Sequence, residues 1–134
     1  MKVLELLTHS REEMQDISDS LKSMVRNSGI QSGILVVQSP HTTLGLTVNE
    51  NADLDVQTDM LGHLRDLIPQ NPAFKHREGN SDSHIKVTLV GPSLTLLVEA
   101  GALVLGTWQG VYAMEFDGPR HRQVWVQVIG TADR

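Results

Sequence analysis

The clearest strand pattern in the chain is QVWVQVI at residues 123–129, in which valines alternate with polar or aromatic residues. Successive side chains of a β-strand point to opposite faces of the sheet, so this alternation predicts a strand with one buried face. Shorter apolar runs of strand length precede it. They occupy residues 2–7, 34–37, 44–48, 85–90, 94–98, 103–105 and 111–116. Short strands at such close spacing predict a β-sandwich or barrel.

Two segments in the first half of the chain have helical periodicity instead. Apolar residues recur every three or four positions over residues 14–28, which predicts an amphipathic helix. A second helix is expected from Asp53 up to Pro69, with the carboxylate of Asp53 or Asp55 placed to cap it. The expected fold is therefore mainly β, of the α+β class: one compact domain over residues 1–134 with two flanking helices.

Composition limits the possible functions. The 134 residues include 40% hydrophobic and 20% charged side chains, as in ordinary soluble domains. Because cysteine is absent, disulfides, thiolate metal sites and cysteine nucleophiles are excluded. The net charge of −5 argues against a nucleic-acid partner. No apolar run has membrane-spanning length and the N-terminus does not resemble a signal peptide, so we expect a cytoplasmic protein without a membrane partner.

The most polar part of the chain is FKHREGNSDSHIK at residues 74–86, which contains two histidines, two carboxylates, an amide and two serine hydroxyls. It has no helical or strand period before Ile85. Such a segment is either a solvated surface loop or a site, since polar loops are common for ordinary reasons. Beyond it, the alternation over residues 85–90 predicts a strand that buries Ile85. In such a strand His84 and Lys86 share the opposite side, about 7 Å apart.

Three of the six histidines have ordinary explanations. His9 lies in a polar segment and is expected to be solvated. His63 borders the apolar stripe of the second predicted helix, which favours a half-buried structural role. His121 lies between two arginines, whose positive charges disfavour a metal ion or an added proton.

The other three histidines are His41, His76 and His84, each near the end of a predicted strand or loop. Three neutral imidazoles are a familiar ligand set for zinc with an open fourth position. Their spacing matches no compact metal-binding motif, so this interpretation competes with two others. The histidines could instead form an acid–base pair, or could be ordinary loop residues.

Several acidic residues and one glycine-flanked stretch are further candidates for chemistry. Glu115 lies at the end of a predicted strand, with Asp117 two residues further on, and these carboxylates either form an ion pair or orient a ligand. In GTWQG at residues 106–110 the glycines permit unusual backbone angles. Trp108 is then either a stacking platform for a ligand or a core anchor. Further carboxylates of this kind are Glu50, Asp53, Glu78 and Asp82.

Four stretches resemble those of one known family. Residues 41–53, HTTLGLTVNENAD, resemble HTTAGLTINENAD of the YjbQ-like family, also called the secondary thiamine-phosphate synthase family. Residues 76–86 resemble its HxEGNSDAHIK, and residues 106–112 and 115–120 resemble GTWQGIY and EFDGPR. The departures are Leu44 and Ser83 in place of alanine, and Phe74 in place of tyrosine.

The resemblance implies a compact, mostly β homotrimer and a polar pocket lined by His41, His76 and His84. It also implies a weak ability to join a pyrimidine pyrophosphate to a thiazole phosphate, a reaction that is incidental if the physiological substrate is another molecule. We therefore expect a small-molecule enzyme acting on a phosphorylated substrate. The alternatives are a metal-dependent hydrolase, and a binding module for a small anionic metabolite without turnover.

Each candidate residue has an expected role. The three histidines serve as metal ligands or acid–base groups, the metal being zinc or another transition metal, with Mg²⁺ on a pyrophosphate substrate. Glu50, Asp53, Glu78 and Asp82 orient them or bind a second cation, and Glu50 and Glu78 count among the catalytic candidates. Breaking a bond to pyrophosphate needs cations on the leaving group. The expected substrate contacts are Asn80, Asp82, Lys86, Trp108, Gln109 and Arg120.

Overall fold

This computed structural model describes residues 1–133, which form eight strands and three helices. The strands are β1 (Lys2–Leu7), β2 (Glu13–Asp16), β3 (Ser32–Gln38), β4 (Leu44–Glu50), β5 (Ser93–Glu99), β6 (Ala102–Leu103), β7 (Gln109–Glu115) and β8 (His121–Thr131). The helices are α1 (Ser18–Ser28), α2 (Leu54–Leu67) and α3 (Ser81–Val90). The predicted strands therefore exist, except for the one at residues 85–90.

The strands form two antiparallel sheets. One has the order β1-β8-β3-β5-β6 and the other the order β2-β7-β4. The long strand β8 lies between β1 and β3, pairing Val124 with Leu4 and Val126 with Val37. The sheets curl into a half-barrel, which confirms the mainly β, α+β prediction.

Strand β7 is buried on both faces and separates two parts of the core. Val111 and Ala113 belong to the large apolar cluster between the two sheets and α1. Met114 and Phe116, on the opposite face, pack with Val87 of α3 and with apolar residues of α2. This double burial accounts for the nearly continuous apolar run of β7, since neither face needs polar side chains.

The first two helices match the sequence analysis in part. Asp53 caps α2 by accepting a hydrogen bond from the backbone N–H of Asp55 at 2.9 Å, as predicted, and α2 ends before Pro69. The first helix was predicted too long. Residues 13–16 instead form β2, whose backbone pairs with β7, and Asp16 accepts the N–H of Ser18 at 2.9 Å where α1 begins.

Residues 81–90 form the helix α3, so the predicted strand at residues 85–90 is wrong. The buried side chains of α3 are Asp82, Ser83, Lys86 and Val87, which recur at helical spacing. Because three of these four are polar, the apolar residues alone show no helical period. Ile85 is 38% exposed rather than buried, and His84 and Lys86 do not share one side of a strand.

Residues 1–133 thus contain three helices, one more than predicted. None of the helices in this described part is both long and apolar enough to span a membrane. Helix α3 begins directly after the polar segment at residues 74–80, and its first turn carries His84. The fold therefore holds the C-terminal end of that segment against the body of the protein.

Candidate functional site

The three candidate histidines line one open polar pocket of about 450 Å³. Its walls come from the turn between β3 and β4, the segment before α3, and the turn between β7 and β8. The predicted site residues in the lining are His41, His76, Glu78, Asn80, His84 and Arg120. The other lining residues are Pro40, Thr42, Thr43, Asp117 and Arg122. Residues far apart in sequence therefore meet at this pocket.

His76 and His84 form an edge-to-face pair on one wall of the pocket. Their ring centroids are 5.5 Å apart, with an angle of 85° between the ring planes. Nε2 of His76 lies 4.0 Å from Oε2 of Glu78, and 45% of the His76 side chain remains exposed. Imidazoles that a ligand can reach in this way are suited to give or take a proton.

His41 is held more tightly and acts differently. The backbone N–H of Gln123 donates to Nε2 of His41 at 2.9 Å, so this nitrogen carries no proton and neutral His41 carries it on Nδ1. Burial, together with the positive charge of Arg122, lowers the pKa of His41. Its backbone is fixed by Ser39, whose hydroxyl accepts the His41 N–H at 3.2 Å. His41 is thus a neutral group with one N–H to donate.

The predicted three-histidine metal site can be compared with the positions of these imidazoles. Within residues 1–133, no group of three histidine or acidic side chains is arranged to hold a metal ion. Nε2 of His41 is moreover engaged with Gln123. The imidazoles as they stand do not fit a three-ligand zinc site, and a metal ion at this position remains a prediction.

Asp117 organises the opposite wall of the pocket. Its Oδ2 accepts a hydrogen bond from Nδ2 of Asn80 at 2.7 Å and another from Nη2 of Arg120 at 2.9 Å. Nε of Arg120 also donates to the backbone carbonyl of Asp117 at 2.7 Å. Because 49% of the Arg120 side chain is exposed, its guanidinium can still contact a ligand.

A buried ion pair lies beneath the pocket. Nε of Arg122 donates to Oε1 of Glu115 at 2.8 Å, and Nη2 of Arg122 donates to the hydroxyl of Thr43 at 2.7 Å. The hydroxyl of Thr8 also donates to Glu115, at 2.7 Å. Burial alone would raise the pKa of Glu115, but the hydrogen bonds from Arg122 and Thr8 outweigh it and lower the pKa. Glu115 thus forms an ion pair, one of its two predicted roles, and its role in orienting a ligand stays a prediction.

Lys86 and Asp82, two predicted substrate contacts, lie in a second buried network outside the pocket lining. Nζ of Lys86 donates to Asp82 at 2.9 Å and to Glu12 at 3.0 Å. Arg11 completes the network at 3.1 Å from Oδ1 of Asp82. Burial opposes ionisation of Asp82, but hydrogen bonds from Arg11 and Lys86 lower its pKa overall. These charges fasten α3 to the segment around β2.

Glu50, Trp108 and Gln109 also lie outside the lining of the pocket that the described residues form. Glu50 and Gln109 are engaged in local turn structure: Glu50 accepts the N–H of Ala52 at 3.1 Å, and Gln109 accepts that of Gly106 at 2.8 Å. Trp108 is 64% exposed, which excludes the core-anchor interpretation within this chain. Its availability for stacking stays a prediction.

The remaining histidines are exposed. This confirms the expectation for His9. The half-buried role expected for His63 is wrong, because α2 turns that side chain to solvent even though it borders a groove between α2 and α3. Nε2 of His121 lies 2.7 Å from a carboxylate oxygen of Glu5 on the neighbouring strand β1.

Arg122 lines the pocket but was not predicted to do so, although the sequence contains a signal for it. Arg122, Val124 and Val126 are all buried and occupy alternate positions of β8. A charged residue in phase with buried valines must have an internal partner. The position of Arg122 therefore predicts a buried polar partner, and the structure shows that this partner is Glu115.

A second cavity of about 410 Å³ adjoins the first. The two share Pro40, His41, Thr42 and His84. The second is completed by Ser39, Val87, Thr88 and Pro92, which include no charged side chain. His41 and His84 therefore stand between a charged compartment and a less polar one.

Comparison with known proteins identifies relatives across nearly the whole chain. The model of the family described as "UPF0047 protein YjbQ-like" matches residues 2–131. UPF0047 protein MJ1081 of Methanocaldococcus jannaschii is 48% identical over 126 residues, covering 94% of this chain and 91% of the relative. UPF0047 protein YugU of Bacillus subtilis is 44% identical, covering 97% of this chain and 99% of the relative.

Solved structures agree with this assignment. A conserved protein of the yjbq/upf0047 family from Clostridium acetobutylicum superposes with a TM-score of 0.94 at 46% identity, covering 96% of this chain and 100% of that one. A conserved hypothetical protein from Thermus thermophilus superposes with a TM-score of 0.89 at 42% identity and the same coverage of 96% and 100%.

Proposed function

The chain belongs to the UPF0047, YjbQ-like family, and from this premise and its pocket we propose that it is an enzyme acting on a small phosphorylated molecule. The observation that carries the proposal is the meeting of three histidines with Arg120 and Asn80 around one polar cavity of about 450 Å³. Perturbed titratable groups in a cleft are typical of functional sites. We further propose a cytoplasmic location.

The chemistry of the pocket suits an anionic group. Arg120 offers a guanidinium fixed by Asp117, and a guanidinium matches the geometry of phosphate oxygens. His41 adds a neutral N–H donor, as argued from its bond to Gln123. His76 and His84 can serve as acid–base groups beside the bound phosphate. The adjoining cavity with Val87 and Pro92 suits the less polar part of the same molecule.

In the thiamine-phosphate version of this proposal, a pyrimidine pyrophosphate loses its pyrophosphate and a ring nitrogen of a thiazole phosphate captures the pyrimidine methylene. Arg120 and His41 would stabilise the charge that develops on the leaving pyrophosphate, where fixed donors contribute most. Mg²⁺ accompanying the pyrophosphate would supply further positive charge. The division into a charged and a less polar compartment favours this class of substrate.

Two alternatives use the same pocket. A metal-dependent hydrolase would require a metal ion at the histidines, and it is the less supported enzyme, given that no three-ligand cluster is arranged among residues 1–133. A binding module would hold a small anionic metabolite without turnover. His76 and His84 fit an enzyme and such a module alike, because an imidazole N–H can also donate to a bound anion, so turnover of a phosphorylated substrate discriminates between the two.

An assay with the two thiamine-phosphate precursors tests the proposal. Purified protein is incubated with Mg²⁺, the pyrimidine pyrophosphate and the thiazole phosphate, and thiamine phosphate and pyrophosphate are measured. Formation of both in equal amounts supports the transferase. Release of pyrophosphate or phosphate without thiamine phosphate supports a hydrolase. Saturable binding with no product would support the binding module and contradict the enzyme.

We propose that the functional assembly is a homotrimer with the pocket near a subunit boundary, as the family resemblance implies. Several large apolar side chains of this chain are exposed and would be covered in an assembly. They include Leu54, Leu67, Leu89, Leu97 and Ile129, each more than half exposed. Light scattering in dilute buffer tests this assembly: a mass of three chains supports it, and a monomer mass contradicts it.

A further inference from the structure

Asn80 presents a buried oxygen that lacks a partner. Among the described residues, Oδ1 of Asn80 is the one buried side-chain polar atom without a hydrogen bond. Asn80 is 6% exposed and lines the pocket. Leaving a buried acceptor unpaired is costly, and native proteins rarely do so without a reason.

The orientation of the Asn80 amide follows from its neighbour. The carboxylate of Asp117 can only accept hydrogen bonds, so the amide nitrogen must face it, as observed at 2.7 Å. Turning the amide over would place two acceptors against each other. Arg120 binds the same carboxylate oxygen and holds it in place. The oxygen of Asn80 is thus left as an acceptor.

The helix does not use this oxygen either. Asn80 immediately precedes α3, where an asparagine oxygen usually accepts a backbone N–H of the first turn. Asn80 makes no such capping bond. Two ordinary roles for its side-chain oxygen, bonding to a neighbouring side chain and capping the helix, are therefore both unfilled.

We infer that the ligand carries a hydroxyl or amino donor for Oδ1 of Asn80, in addition to the anionic group bound by Arg120. The inference rests on the proposed function and narrows the ligand class to phosphate esters with such a donor. A fully ionised phosphate group offers only acceptors, so it cannot satisfy Asn80 by itself. Asn80 then selects among phosphate esters while Arg120 binds all of them.

Calorimetric titration of the full chain at pH 8 with three probes tests this inference. The probes are inorganic phosphate, propyl phosphate and glycerol 3-phosphate, and the last two differ by hydroxyl groups on a similar carbon skeleton. Wild-type protein should bind glycerol 3-phosphate about tenfold more tightly than propyl phosphate, the order expected for one unpaired buried acceptor. Asn80→Ala should reduce that preference to less than about twofold while it still binds inorganic phosphate. Asn27→Ala, which changes an exposed amide on α1, should retain the full preference.

The outcomes separate the two levels of the proposal. If wild-type protein binds propyl phosphate and glycerol 3-phosphate equally, the inference about Asn80 is overturned and the anion pocket stands. A water molecule would then be the partner of Oδ1. If none of the three probes binds, the phosphate-binding function fails and the inference fails with it. Should Asn80→Ala not fold, the comparison of the two esters on wild-type protein still decides.

Discussion

Two groups of polar residues from residues 76–86 have opposite environments. The imidazoles of His76 and His84 reach an open pocket, and the His76 side chain is 45% exposed. Asp82 and Lys86 lie on the buried face of α3, where each side chain is 1% exposed and bonded to charged partners. Side chains that are neighbours in sequence therefore have different roles: some line the pocket, and others hold α3 against the rest of the protein. Charge alone did not indicate which residues belong to the site.

The strongest test of this division is Lys86→Ala. It leaves Asp82 and Glu12 buried with one cation fewer, and breaking a buried ion pair destabilises a protein by about 3 kcal/mol or more. We expect a clear fall in the free energy of unfolding, measured by urea titration. Lys75→Ala, at an exposed lysine of the preceding segment, should have almost no effect. Equal effects of the two substitutions would mean that Lys86 does not support the fold.

His84→Ala tests the residues that line the pocket. If His84 is an acid–base group of the proposed enzyme, its removal reduces turnover by about a hundredfold or more, so formation of thiamine phosphate should fall at least that far. The thermal midpoint should stay within a few degrees, because the side chain lies at an open pocket. His9→Ala, at an exposed histidine outside the pocket, should keep full turnover. An unfolded His84→Ala protein would assign His84 to the structural group.

Acid should weaken the protein in two stages. The folded-state pKa of His41 is lowered, so the unfolded chain takes up the proton first and stability falls as pH drops below about 6.5. The pKa values of Glu12, Asp82 and Glu115 are also lowered, so their stabilising contribution is lost below about pH 4. Urea midpoints at pH 7.5, 5.5 and 3 measure both stages. Greater stability at pH 5.5 than at pH 7.5 would contradict the first.

The smallest effect is expected for Ile85→Ala. A buried isoleucine in a central strand would cost about 2–5 kcal/mol on truncation. Ile85 instead lies on the exposed side of α3 at 38% exposure, so we expect a loss below about 1 kcal/mol. Val87→Ala, at the buried neighbour on the same helix, should cost distinctly more. A loss for Ile85→Ala as large as that for Val87→Ala would contradict the exposed position of Ile85.

Most strands were predictable because each has an apolar run or an apolar alternation of its own, whereas the short strand β2 has neither and was assigned to a helix. Helix α3 was not predictable, since its buried face consists of Asp82, Ser83, Lys86 and Val87 and looks polar in sequence. The partners of such a face lie far away along the chain: Glu12 is 74 residues from Lys86. A local sequence pattern cannot reveal a contact between residues so far apart along the chain.

The candidate site, like the fold, was predictable only in part. The positions of His41, His76 and His84 in the sequence, together with the family resemblance, predicted these histidines, and Asn80 and Arg120 were among the predicted substrate contacts. The resemblance did not separate them from Lys86 and Trp108, which share the same sequence stretches but not the pocket. Asp117 and Arg122 act through contacts that exist only in the folded chain. The one signal in the sequence was the position of Arg122, which alternates along β8 with buried valines.

The central claim is that the pocket of His41, His76 and His84 binds phosphate groups. It is tested most directly by following the ring Cε1–H resonances of all six histidines by NMR during titration with pyrophosphate at constant pH. We predict saturable shifts for these three and essentially none for His9, His63 and His121, which serve as internal controls. The absence of saturable shifts in the first three, or equal shifts in all six, would contradict the claim.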